Sequence, residues 1–155
     1  MQGVTMAPIG TCRVYRPDPK SIGIGEQWGR ASASVVLDPA VVVTIRGEVD
    51  ASNASRLAGY LERHVAIAEA LVVDVIGVDF YGAPAMAVLH GVDRCCAAVG
   101  IDWRLVAGPA VRRVMRVCDS TDLPRAENVK QAFRELGVAS QIAATRDVNS
   151  PSVVG

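Results

Sequence analysis

LVVDVIGVDFYGAPAMAVL, running from Leu71 to Leu89, reads as a buried strand, a loop and the first turns of an amphipathic helix. Leu71–Val75 is apolar and rich in β-branched residues, the composition of a strand covered on both faces. Pro84 suits the first helical position, where its fixed φ fits and its missing N–H leaves nothing unsatisfied. Behind it Ala85, Met86, Val88, Leu89, Val92, Cys96 and Val99 recur at helical spacing, and Gly100 marks the stop.

Upstream, Ser32–Leu37 and Val41–Arg46 flank Asp38-Pro39-Ala40, a turn signal between two strand-like runs, and predict an antiparallel hairpin. Asp50 or Ser52 is placed to cap the helix that follows. Ala54, Leu57, Ala58, Leu61 and Val65 give that helix one apolar stripe. Downstream, Asp102–Val106 predicts a strand ending at Ala107-Gly108-Pro109. The next helix buries Val111, Val114, Met115 and Cys118 and turns Arg112, Arg113 and Arg116 outward. A brief edge strand near Leu123–Ala126 is the weakest signal. A final helix over Asn128–Leu136 faces Val129, Ala132, Phe133 and Leu136 inward and stops at Gly137.

Helices alternating with strands give parallel pairs joined by right-handed crossovers. The pattern predicts an α/β domain: a mixed, mostly parallel sheet of about 4–5 strands with an antiparallel first strand, and about four helices. It occupies residues 31–138, between a flexible N-terminal arm (1–30) and a flexible C-terminal tail (139–155). Within the arm, Cys12–Tyr15 is a further short strand-like run.

The chain has 155 residues, half of them hydrophobic, with 16 basic and 16 acidic side chains that cancel. No global field favours nucleic acid or an anionic membrane. The opening MQGVTMAPIG lacks the charged start and apolar run of a secretory signal. No stretch approaches the roughly 20 apolar residues that span a bilayer. Cys12, Cys95, Cys96 and Cys118 have neither zinc-like nor CxxC spacing, so reduced thiols in a cytoplasmic protein are the expectation.

Asp74 at its strand end reads as a loop-bonding carboxylate, since no second acid, nucleophile–His pair or metal set accompanies it. His64 and His90 sit on separate helices, as surface or core-edge residues. Acid–base and metal chemistry therefore lack their minimum constellation, and neither an enzyme, a cofactor nor a bound metal is expected. Gly23-Ile24-Gly25 lacks the ending of a phosphate loop. The arginine cluster reads as a solvated face or as a steering surface for an acidic partner. Cys95, Cys96 and Cys118 read as buried structural thiols, with a redox pair as the alternative.

Three stretches in this order resemble the STAS domain of anti-sigma factor antagonists, and are most similar to the actinobacterial ones. VVVTIRGEVDASNA (Val41–Ala54) resembles the family's second strand and its turn into the first helix. LVVDVIGVDF (Leu71–Phe80) resembles the third strand and its exit, and WRLVAGPAVRRVMRVCDSTDLP (Trp103–Pro124) the fourth strand and third helix. The likeness runs from Ser32 to Leu136. It implies a cytoplasmic protein that captures an anti-sigma factor and releases its sigma factor, without binding nucleic acid or entering a membrane. Weak homodimerisation is a further implied option.

The family's phosphorylated serine falls on Ala83. The aspartate before it becomes Gly82, the residue after it Pro84 and the family glycine Ala85. The resemblance therefore implies an antagonist without its usual phosphate switch. Its contact surface is expected at Asp50, Asn53, Asp79, Tyr81, Gly82, Ala83 and Pro84, with Arg112 and Arg113 steering. A redox-responsive sensor using the cysteines, or a STAS subunit of a transporter or scaffold complex, are the alternatives.

Overall fold

The computed structural model describes residues 23–37 and 40–138. In chain order they form β1 (Glu26–Trp28), β2 (Ala31–Val36), β3 (Val41–Val49), α1 (Ala54–Val65), β4 (Ala70–Val75), β5 (Val78–Tyr81), a single 3-10 turn (Ala83–Ala85), α2 (Met86–Val99), β6 (Asp102–Ala107), α3 (Pro109–Val117), β7 (Arg125–Ala126) and α4 (Val129–Leu136). The sheet order is β1-β2-β3-β4-β6-β7, and β5 pairs with β3. β1, β2 and β3 are antiparallel neighbours, while β4, β5, β6 and β7 join in parallel.

Residue alternation divides the core between the two sheet faces. Val41, Val43 and Ile45 of β3, and Leu71, Val73 and Val75 of β4, enter the main cluster with Leu57, Leu61, Leu89, Val92, Val111 and Met115 from α1, α2 and α3. Val42, Val72 and Val106 face the other way and pack with Ala132 of α4. From β3 to β7 the strand order follows the chain, so crossovers of the usual hand bring the first three helices to one face. α4 follows the last strand and covers the opposite face. Leu71–Val75 is therefore buried on both sides, as its unbroken apolar run predicts.

Gly47 is required where β3 bulges. With φ +91°, a Cβ there would sit 2.0 Å from the Arg30 carbonyl oxygen, and the adjacent Glu48 N–H donates to that oxygen at 3.0 Å. Gly100 and Gly137 end α2 and α4 in the left-handed conformation that their sequence positions predict.

The structure departs from the sequence reading in several places. Glu26–Trp28 is a strand inside the segment read as an arm, and Trp28 is core, 5 % exposed. It lies edge-on against Tyr60, ring centroids 5.5 Å apart. Three residues between glycines carry no readable period, so one tryptophan supplies the anchor. Val78–Tyr81, read as loop, is β5, and among the described residues the sheet holds seven strands where about 4–5 are predicted. β5 extends the parallel pairing of β3 from Gly47 to Val49, beyond the residues that β4 pairs.

Neither Asp50 nor Ser52 caps α1; Asn53 occupies the N-cap position, and its side chain makes no cap bond. Val99, in the last turn of α2, is 44 % exposed, and Cys118, the C-cap of α3, is half-buried because the apolar stripe ends before it. His64 is fully buried. The Cys12–Tyr15 run, most of the arm and the 139–155 tail lie outside the described residues.

Candidate functional site

The predicted contact residues gather where the parallel strands end. β3 finishes at Val49, whose carbonyl accepts the Gly82 N–H at 2.8 Å; Gly82 in turn accepts the Ala85 N–H at 2.9 Å. These two bonds bring the chain out of β5, across the end of β3 and into the 3-10 turn. A Cβ placed on Gly82 would lie 3.5 Å from the Phe80 ring and 3.6 Å from the Asp50 Cα. Phe80 and Asp50 thus flank the buried Gly82, and Ala83 and Pro84 follow it as exposed residues.

No side chain caps this helix start. Ala83 ends in a methyl group, and Gly82 in β-region backbone precedes it. Asp50 is held in place instead: its Oδ1 accepts the Ser52 N–H at 2.8 Å and the Ser52 hydroxyl at 2.5 Å. The Ser52 hydroxyl, then its backbone N–H, hold the Asp50 carboxyl below the usual carboxylate range. Asp79 is exposed on β5. Asp74 bonds the loop as its position predicts, Oδ1 accepting the Ile76 N–H at 3.0 Å.

Three predicted contacts are buried: Gly82, whose backbone closes the turn, and the side chains of Tyr81 and Asn53. Tyr81 is buried, its hydroxyl donating to the Ala85 carbonyl at 2.7 Å, and burial pushes its phenol well above the ordinary value. Asn53 is buried and brackets backbone from β1, from β3 and from the turn that leaves β3. Its Oδ1 accepts the Asp50 N–H at 3.0 Å, and its Nδ2 donates to the Glu48 carbonyl at 3.0 Å and the Trp28 carbonyl at 3.2 Å. Both side chains shape the edge from behind it.

Sequence reasoning missed Phe80, 51 % exposed beside Gly82. Its signal was the strand: once Val78–Tyr81 is β5, a large apolar residue left outside becomes conspicuous. Arg112 and Arg113 are exposed on α3, which packs beside β5. Gly108, at the start of α3, allows this approach, since a Cβ there would lie 2.6 Å from the Ile76 carbonyl oxygen. Among the described residues, no carboxylate lies within ion-pair distance of either arginine.

Cys95 and Cys96 are buried on α2, away from Cys118 in sequence and on a different helix. His90 Nε2 lies 2.9 Å from the Ser120 hydroxyl. Among the described residues, no group of three or more His, Cys, Asp or Glu side chains is placed to hold a metal ion, and no helix is long and apolar enough to cross a membrane.

The family model of the STAS domain matches residues 32–140. The chain belongs to the STAS domain family. This STAS chain is similar to osmosensory protein A of Mycobacterium tuberculosis, with 32 % identity over 105 residues. That match takes in 64 % of this chain and just under two thirds, 66 %, of the relative's own length. It is also similar to the anti-sigma-F factor antagonist RsfA of Mycobacterium tuberculosis, with 38 % identity over 91 residues, 56 % of this chain and 70 % of RsfA. A crystal structure of an anti-sigma factor antagonist from Mycobacterium paratuberculosis superposes with a TM-score of 0.58 at 24 % identity, over 68 % of this chain and 93 % of that one. Unphosphorylated SpoIIAA, an anti-sigma factor antagonist, gives 0.57 at 16 % identity, over 68 % and 96 %. At these identities the two structures share the STAS fold.

Proposed function

We propose that this STAS domain is an anti-sigma factor antagonist that works without serine phosphorylation at the start of α2. It captures an anti-sigma factor in the cytoplasm, and the sigma factor held there is released to transcribe. The domain acts by binding and carries out no catalysis. The similarity to RsfA and the shared STAS fold support the class of partner.

One observation carries the finer reading. Ala83 stands exposed at the helix start, where the family motif puts its acceptor serine, and offers no oxygen to receive a phosphoryl group. Phosphate there would add up to about two negative charges to a contact surface. Its absence leaves the exposed Phe80, Ala83 and Pro84 permanently apolar, with Asp50 beside them. Arg112 and Arg113 on α3 contribute steering, because rim charges chiefly set association rates. The burial of Cys95 and Cys96 favours this constitutive reading over a thiol sensor.

The test is capture from lysate followed by calorimetry with each protein retained. An anti-sigma factor that binds with the same affinity with and without ATP, and gives up its sigma factor, supports the reading. ATP-dependent loss of binding, with phosphate mapped onto the chain, refutes the constitutive form. Retention of a membrane transporter or scaffold alone refutes the partner class.

A further inference from the structure

The segment 23–30 is fastened along one side of α1 and across the end of β3. The Gly23 N–H donates to His64 Nε2 at 3.3 Å, and the Tyr60 hydroxyl donates to the Ile24 carbonyl at 2.8 Å. Arg63 pairs with Glu26. Trp28 packs on Tyr60, and its carbonyl accepts from Asn53 at 3.2 Å. Tyr60, Arg63 and His64 belong to one turn of α1 and hold the strap on its helix side, while Glu26–Trp28 pairs antiparallel with Ala31–Ala33 of β2 on the other. Of these three anchors, only histidine ordinarily changes charge between pH 5 and 8.

The hydrogen bonds fix the tautomer of His64. Gly23 can only donate, so Nε2 accepts; the ring proton is then on Nδ1 and donates to the Tyr60 carbonyl at 2.8 Å. A second proton would place an N–H at Nε2, pointing at the Gly23 N–H. Two donors cannot share that contact, so a charged imidazole and the Gly23 hydrogen bond exclude each other.

We propose that His64 is a proton-operated latch: neutral, it holds the Gly23–Trp28 strap on α1, and protonated, it releases the strap. Release also withdraws the Trp28 carbonyl from Asn53, the residue that brackets Asp50 behind the partner edge. The latch itself stands on the strap geometry and does not depend on the identity of the partner.

The surroundings set its direction. Burial, and then the Arg63 guanidinium, oppose the imidazolium, whereas the Tyr60 carbonyl and the Glu26 carboxylate favour it; the balance holds His64 below its ordinary value. α2, packed on α1, carries Cys95 and Cys96 as the titratable groups on its buried side. The strands beneath α1 present Ala31, Ala33, Val43 and Ile45, none of them ionisable. The released state therefore binds more protons than the docked state. Docking is complete above the ordinary histidine value of about 6.5 and is lost as pH falls below it.

The experiment follows Trp28 emission and the Trp28 indole N–H resonance in the full chain carrying Trp103→Phe, from pH 7.5 to 5. Strap opening should rise about tenfold per unit of pH below 6.5, with a red-shifted emission. The same change should be absent in His64→Gln, whose side-chain oxygen accepts from Gly23 without titrating. If His64→Gln leaves the strap undocked at every pH, the ring resonances of His64 in the Trp103→Phe chain decide: they must shift with the same midpoint as the Trp28 indole. A strap unchanged down to pH 5 overturns the proposal. So does an equal response in His64→Gln, or titration of His64 without movement of Trp28.

Discussion

Asn53 and Asn128 stand at the same position of two helices, the residue before the first turn, and do different things. Asn128 behaves as local rules dictate: its Oδ1 accepts the Gln131 N–H at 2.8 Å and satisfies a free donor of α4. Asn53 gives its helix no side-chain bond. Its amide is turned into the protein and serves the backbone of Asp50, Glu48 and Trp28. Residue type and chain position are alike; only the neighbourhood differs. An exposed cap is a local device, whereas a buried one is claimed by whatever backbone most needs a donor or an acceptor.

Aspartate should separate the two most sharply. Asn53→Asp keeps the acceptor toward Asp50 but aims a buried carboxylate at two carbonyl oxygens, and should cost about 3 kcal/mol or more in denaturant unfolding. That penalty should shrink as pH falls, since a buried carboxyl has a raised pKa and once protonated can donate again. An Asn53→Asp protein as stable as wild type at pH 7 would break the comparison.

The third helix start in the contrast is that of α2, which has no side-chain cap at all. Ala83→Asp should lower affinity for the anti-sigma partner about a hundredfold, roughly 2.7 kcal/mol, by desolvating an unpaired charge in an apolar contact. The same carboxylate at a helix N-terminus should raise folding stability by about 0.3–1 kcal/mol. Opposite signs in calorimetry and thermal unfolding are the expected signature. Equal affinities would remove this helix start from the contact surface.

Asn128→Ala should cost about 1 kcal/mol in unfolding and leave partner binding untouched. Smallest of all, Asn128→Asp should change stability by no more than a few tenths of a kcal/mol, since aspartate caps as well as asparagine. A large loss there would mean that Asn128, like Asn53, serves something beyond its own helix.

The elements with long repeating patterns were legible. The stripe of Leu57, Leu61 and Val65, the stop at Gly100 and the hairpin around residue 38 each rest on neighbours in sequence. β1 and β5 were not legible, because strands of 3 and 4 residues are too short to show a period. With β5 went Phe80, whose exposure is meaningful only once its strand is known. The candidate edge was half legible: Asp50, Ala83 and Pro84 lie around the end of β3, while Gly82, Tyr81 and Asn53 are buried. Alternation along β5 decides Tyr81, and the bulged end of β3 decides Asn53.

The sequence by itself determined the α/β order and the methyl group of Ala83 at the second helix start, because periodicity and residue chemistry are local properties. Only the tertiary structure decided that Trp28 reaches back to Tyr60, that Asn53 leaves its helix to hold three backbone groups, and that His64 faces Gly23. Each of these depends on a contact between residues 25 to 41 positions apart in the chain. No local preference specifies such a contact; it forms because burial elsewhere in the sheet brings the two partners together and leaves their polar atoms no water to bond.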